Sequence, residues 1–363
     1  MHDQTVPPAP TAPGILFVAP RFHTNLFFAT KALVEAGYRV AVFAQMSQPP
    51  EDHRFVTPRI FPRGTPYRPV RDAVRAFRPD LVLSRWTRPA SFHVERAGRF
   101  GKLNIWHYDL RPLTSHRSWL KRAEWWAQGL PARRVTPKPG LDRNAPAEPS
   151  ARYLPWPVAA EPGQPRGLRG DGPLRVLCVG KLMQPRKNQD KLIAAMRGLL
   201  DDERAVLTLV GAVDVQAARV DADHYATLKA AAQDSKGRIT LLEDLPYADM
   251  PALYARHDVC VLPARGEPLG FAPLEAMAYG CVPVIGTGCG AAGYLTDGVD
   301  GFRVRSGDVP ALCDVLTRLA SDPALVERVG QAARHLTETE LSPARFIDRI
   351  GNLMAQSGHT RGT

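Results

Sequence analysis

Short continuous apolar runs alternate along this chain with stretches of helical period, and the alternation occurs twice. In the first half, residues 14–20 (GILFVAP), 39–45 (RVAVFAQ), 81–86 (LVLSRW) and 103–108 (LNIWHY) read as buried strands, with another over 55–61. Leu26, Ala29, Leu33 and Ala36 recur at helical spacing between the first two runs, and Gly37 closes that helix. Residues 70–80 place Arg71, Arg75 and Arg78 on one helical face and Val70, Val74 and Phe77 on the other. The pattern lapses over residues 159–173 (AAEPGQPRGLRGDGP), a stretch rich in Pro and Gly. It then restarts, with strands over 174–180, 205–211, 239–242, 259–263, 282–287 and 302–305. Helices are expected over 189–200, 225–233, 250–257, 273–279 and 310–319.

Apolar strands separated by helices mark parallel sheets covered on both faces. The expected fold class is α/β, with two Rossmann-like doubly wound domains facing across a cleft. The first domain covers residues 14–158, the linker 159–173 and the second domain 174–341. A final helix is expected over 342–356, with Phe346, Ile350 and Leu353 in line.

Composition sharpens this picture in three places. A length of 363 residues exceeds one ordinary core. Residues 1–13 are polar and proline-rich, unlike a signal peptide, and no apolar run is long enough to span a bilayer. The five cysteines are odd in number and show no metal-ligand spacing, which fits reduced thiols in a cytoplasmic protein. Charge is uneven: residues 1–170 carry 26 Lys and Arg against 12 Asp and Glu, and the remainder 21 against 24. The basic half implies an acidic partner, such as an anionic membrane surface, a phosphate-bearing substrate or nucleic acid. Residues 118–134 (SWLKRAEWWAQGLPARR) put Trp119, Ala123, Trp126 and Leu130 in one stripe, with cations outside it. A core helix is the commoner source of that spacing, and a helix at a lipid interface also fits.

The candidate chemistry lies in residues 265–280 (RGEPLGFAPLEAMAYG). An apolar strand ends there in a glycine-bearing loop that opens a helix, leaving free N–H groups and the positive end of a dipole. Glu267 sits in the loop and Glu275 eight residues on, expected in the first helical turn. Residues 180–188 (GKLMQPRKN) bring Lys181, Arg186 and Lys187 after another strand-closing glycine. A helix start with two or three cations makes an anion site without metal.

These two stretches, with residues 296–308 (TDGVDGFRVRSGD), resemble retaining glycosyltransferases of the GT-B, family 4 type. The resemblance covers most of residues 174–318 and is looser before them, at AGYRV (36–40), WHYD (106–109) and YLPWPV (153–158). It implies that Lys187 contacts the donor diphosphate with Lys181 and Arg186. Lys181 stands where arginine is usual, which keeps the charge and loses a bidentate fork. It further implies that Glu275 binds the ribose hydroxyls, that Glu267 faces the transferred sugar, and that Gly270, Phe271 and Ala272 offer backbone amides. His107 matches a histidine pointing into the cleft near the sugar, so Glu267, His107 and Lys187 are the catalytic candidates. The first loop, RFHTN (21–25), lacks the glycines frequent there. His23 and Asn25 are therefore candidates to touch acceptor or donor and are assigned to the acceptor side, and Arg85 is a further acceptor-side candidate. Residues 289–294 (CGAAGY) likewise depart from the usual pattern, which leaves the sugar and the nucleotide open. The resemblance also implies that the helix over 342–356 packs back on the first domain.

The implied reaction is transfer of a sugar from a nucleotide-diphosphate sugar to a glycan or lipid-linked acceptor, with retention. It needs no cofactor and no metal. Asp221 and Asp223, the only Asp-x-Asp, read as surface. The setting would be cytoplasmic, at the inner face of a membrane, in cell-surface polysaccharide, lipopolysaccharide or glycolipid assembly. The alternatives are a sugar-nucleotide epimerase of the same fold and a basic membrane- or nucleic-acid-binding module. The sequence contains no nucleic-acid-binding motif.

Overall fold

A computed structural model describes residues 11–22, 24–47, 51–85, 93–94, 96–97, 103–116, 118–120, 123, 133–162, 172–213 and 220–356. The chain divides into two units. The first comprises Met1–Pro139, Asn144–Pro157 and Leu341–Thr363, and the second Gly140–Arg143 and Val158–Glu340.

The first unit is built on β1 (Gly14–Ala19), β2 (Arg39–Ala44), β3 (Arg59–Ile60), β4 (Leu81–Ser84), β5 (Ile105–Tyr108), β6 (Arg134–Thr136) and β7 (Ala151–Tyr153). All pair in parallel, in the order β3-β2-β1-β4-β5-β6-β7. Every residue of β1 is buried, which is why it reads as an unbroken apolar run. Helix α1 (Thr24–Glu35) links β1 to β2, and α2 (Tyr67–Phe77) precedes β4. Helix α2 buries Val70, Ala73 and Val74 against Leu16, Val18, Val82 and Ile105.

The second unit has β8 (Leu174–Val179), β9 (Ala205–Gly211), β10 (Ile239–Glu243), β11 (Val259–Leu262), β12 (Val282–Gly286) and β13 (Phe302–Val304), parallel in the order β10-β9-β8-β11-β12-β13. Its helices are α3 (Gln189–Asp201), α4 (Ala222–Asp234), α5 (Met250–Ala255), α6 (Phe271–Ala278), α7 (Val309–Ser321) and α8 (Pro323–Thr339). One sheet face packs on Leu192 and Met196 of α3, Leu312 and Leu316 of α7, and Val326 of α8. The other packs on Met250 and Leu253 of α5 and on Ala276 and Ala278 of α6. The last helix, α9 (Pro343–Ala355), lies on the first unit against α1. There Leu353 O accepts from Asn104 Nδ2 at 3.1 Å, and Phe346 lies 6.2 Å from Trp156.

Several expectations need correction. The strand expected over 55–61 shrinks to Arg59–Ile60, both exposed at the sheet edge. Helix α6 begins at Phe271 rather than 273, because Gly270 supplies the left-handed turn (φ 81) before it. Glu275 therefore lies in the second turn. Arg134 does not continue a helix from 118: it sits in β6, wholly buried. Trp119 is 74% exposed, so the stripe does not begin in a core; Trp126 and Leu130 lie outside the described residues. Asp221 and Asp223 are exposed, as expected, and the Asp221 side chain also accepts from His224 N and caps α4. Strands β6 and β7 and helix α8 were not expected. Of the linker over 159–173, residues 163–171 lie outside the described residues.

The ends of β8 and β9 touch with no room to spare. A Cβ on Gly211 would stand 1.9 Å from Gly180 O and 2.6 Å from Gly180 C. Backbone on backbone cannot rotate away. Gly211→Ala is expected to cost about 1–3 kcal/mol, as overpacked sites do. A urea midpoint equal to wild type would refute this.

Candidate active site

In a doubly wound sheet, the crevice opens beyond the carboxyl ends of the strands where the order reverses. In the second unit that point lies between β8 and β11, and the loops after these two strands carry the charged candidates. The loop after β8 leads through Lys181 to a single turn, Pro185–Lys187, and Asn188 in the left-handed region (φ 56). The loop after β11 runs through Arg265 to Gly270.

The two loops are tied together. Arg265 N donates to Arg186 O at 2.7 Å, and Asn188 Nδ2 donates to Pro263 O at 2.8 Å. Gly180 leaves space for the Lys187 side chain: a Cβ there would meet Lys187 Cδ at 3.2 Å. Lys187 crosses the strand end almost fully buried, and its Nζ reaches Glu267 Oε2 at 2.7 Å. Arg186 Nη1 meets the same oxygen at 2.6 Å. Burial would raise the pKa of Glu267, but the adjacent Lys187 and Arg186 outweigh it and hold the carboxyl below its usual range. The loop after β12 fixes the backbone here, since Gly290 N donates to Glu267 O and Ala291 N to Leu269 O. A Cβ on Gly270 would strike Leu262 Cδ2 at 2.5 Å, and φ 81 disfavours a side chain as well. Phe271 and Ala272 open α6 beside it.

Glu275 is placed differently. It is 6% exposed, and its two oxygens accept from Tyr247 Oη at 2.5 Å and Tyr254 Oη at 3.1 Å. Burial raises its pKa to about 7, and the two hydroxyl bonds only partly oppose that rise. Neither tyrosine was singled out from the sequence, where Tyr254 looks like one more apolar position of α5.

In the first unit, the equivalent switch lies between β1 and β4. Arg85 follows β4 and joins Phe17, Leu26, Leu83, Tyr108 and Trp156 around a cavity of about 20 Å³. Tyr108 Oη accepts from Trp156 Nε1 at 2.7 Å, and burial raises its pKa. His107, 6% exposed, is at the carboxyl end of β5 on the sheet face shared with Ile105. His23 lies outside the described residues, and Asn25 is placed by its backbone alone, in the first turn of α1.

With this geometry in hand, the comparisons are specific. Residues 173–322 match the family model described as Glycosyl transferases group 1. The matched stretch falls within the second unit. The glycogen synthase of Mycobacterium tuberculosis is 30% identical over 181 residues, 49% of this chain and 40% of the relative. The lipopolysaccharide core biosynthesis mannosyltransferase LpcC of Rhizobium leguminosarum bv. viciae is 33% identical over 201 residues, 54% of each chain. The chain thus spans about half the length of the curated relatives it matches. Among solved structures, Anabaena Alr3699/HepE in complex with UDP superposes with a TM-score of 0.71 at 16% identity, covering 94% of this chain and 100% of that one. That likeness shows the fold: GT-B, with two Rossmann-like domains. Within the matched residues, the structure gathers Arg186, Lys187, Glu267 and the start of α6.

Proposed function

We propose that the chain is a retaining, metal-independent glycosyltransferase that moves a sugar from a nucleotide-diphosphate sugar to a glycan or lipid-linked acceptor. Its place would be the assembly of cell-surface polysaccharide, lipopolysaccharide or glycolipid, at the cytoplasmic face of a membrane. The observation that carries this reading is the joining of Arg186 and Lys187 on one carboxylate, Glu267, beside the α6 amino terminus, within the residues that match the group 1 model. The UDP complex of HepE supports a nucleoside diphosphate as the ligand class.

Glu267 engages both cations. A donor diphosphate takes the same cations, with Lys181 at its other side, and releases Glu267 toward the sugar hydroxyls. Charge that develops on the departing diphosphate is then met by groups already in place, which lowers the barrier. Glu275 receives the ribose hydroxyls, and Gly270, Phe271 and Ala272 offer amides to the sugar and phosphates. His107 faces the transferred sugar, and His23, Asn25 and Arg85 belong to the acceptor.

A panel of UDP-, GDP-, ADP- and dTDP-sugars, scored by thermal shift and slow donor hydrolysis, tests the donor class. Product released as an isomerised sugar without acceptor would point instead to an epimerase. On the preferred nucleotide, Glu275→Gln is expected to weaken binding about 10- to 100-fold, the equivalent of about 1.5–3 kcal/mol for a charged hydrogen bond. The carboxylate accepts better than the acid, and ionisation occurs near pH 7. Wild-type affinity should therefore rise with pH through that region, while the variant stays flat. Equal affinity of the two proteins by calorimetry would refute the ribose assignment.

A further inference from the structure

Helix α2 borders a cavity that the donor and acceptor candidates do not use. Its volume is about 600 Å³, within the range of small-molecule sites. Arg71, Arg75 and Arg78 line it along and just after the helix, and Val74, Ala97 and Leu103 add apolar lining. Pro79 and Asp80 line it immediately before β4, and Leu103 just before β5, so it reaches the amino-terminal edge of the first sheet. Arg85 and Tyr108 stand at the opposite, carboxyl edge.

Acidic groups neutralise this wall only in part. Asp72 holds Arg71 at 2.7 Å, and Asp80 Oδ2 accepts from Gly14 N at 2.7 Å. Among the described residues, no carboxylate pairs with Arg75 or Arg78. Arg96 adds charge at the far end, its guanidinium 4.8 Å from the Tyr67 ring.

Arg78 supplies a second, independent observation. It occupies the position after α2 in the left-handed region (φ 52, ψ 67), where glycine is favoured. Ordinarily an arginine there would serve the helix carbonyls. That task is already done by Arg39, whose Nη1 donates to Phe77 O at 2.8 Å and whose Nη2 donates to Arg78 O at 3.3 Å. The chain thus keeps a strained arginine where a glycine would be easier, with its side chain on the cavity wall.

We propose that this cavity binds a small molecule carrying two or more phosphate groups, held by Arg75, Arg78 and Arg71, with its less polar part on Val74, Ala97 and Leu103. Guanidinium forks at successive turns of one helix suit adjacent phosphates. Occupancy falls as salt rises, because the wall is open to solvent.

Inorganic tripolyphosphate is the probe, titrated into the full chain by calorimetry. Wild type is expected to show two sites. Arg75→Ala with Arg78→Gly should lose one of them, with at least a tenfold drop in affinity. Lys187→Ala should lose the other. Alone, Arg78→Gly is expected to melt at or above the wild-type temperature without ligand, because glycine relieves the backbone. A weakened response from that variant therefore reports lost recognition rather than a damaged fold. Unchanged titration of the double variant would overturn the proposal. So would capture by phosphatidylcholine vesicles containing phosphatidylglycerol with no heat from tripolyphosphate at this site, since that marks a basic surface and not a pocket.

Discussion

Lys187→Ala is expected to slow sugar transfer by about 10²–10³-fold, the loss seen when one preorganised donor to a developing anion is removed. Lys187 crosses Gly180 with 9% of its surface exposed, so water cannot replace its ammonium at the same point. Binding of the nucleoside portion should survive, because Glu275 is held by Tyr247 and Tyr254 rather than by Lys187. The pH profile gives a second readout. Lys187 is the largest of the influences holding Glu267 below the usual carboxylate range. Without it the folded-state pKa of Glu267 rises, and the acid limb of the rate profile moves to higher pH. A kcat within a factor of about three of wild type, less than 1 kcal/mol of barrier, would remove Lys187 from the chemistry.

Arg134→Met is expected to destabilise the first unit by about 3–5 kcal/mol, the range for breaking a buried ion pair from one side. Arg134 is wholly buried in β6, where its Nε meets Glu148 Oε2 at 2.5 Å and its Nη1 meets Asp109 Oδ1 at 3.1 Å. Its Nη2 also donates to Pro112 O at 2.9 Å and Ser115 O at 3.2 Å. One guanidinium thus fixes the loop that leaves β5 just after His107. Removing it takes the 2.5 Å ion pair from Glu148, which is 4% exposed and keeps Arg111 only at 4.0 Å from the same oxygen. Glu148→Gln in the same chain should recover part of the loss, and a double-mutant cycle in urea measures the coupling. Additive single effects would show that the pair is not coupled.

The long parallel strands were legible because both faces are buried, which leaves continuous apolar runs such as GILFVA and LRVLCV. Strands β6 and β7 were not, because RVT and ARY carry too few apolar residues for any period to show. Arg134 is buried only because Asp109 and Glu148, distant in sequence, converge on it, and no local pattern encodes that. Helix α8 did carry a signal, Asp322-Pro323 as cap and first residue, ahead of Leu325, Val326 and Val329. In the site, glycine and charge marked both loops, and resemblance paired them. Lys187 and Glu267 are 80 residues apart, so their 2.7 Å contact could not come from spacing. Nor could the two hydroxyls on Glu275, since Tyr247 and Tyr254 read as ordinary aromatic positions.

The chain passes between its two units four times, after Pro139, Arg143, Pro157 and Glu340. Gly140–Arg143 belongs to the second unit although it is made before that unit's first strand. A Cβ on Gly293 would stand 2.6 Å from Gly140 O, and Arg143 donates to Gly293 O and Tyr294 O. Conversely, α9 belongs to the first unit and is made after the second. On the ribosome, the first sheet must therefore wait without α9 over α1 while the second unit emerges and closes as an insertion. Neither unit can be obtained by a single cut of the gene, and a fragment ending near residue 158 would present the α9-facing surface of α1 to water.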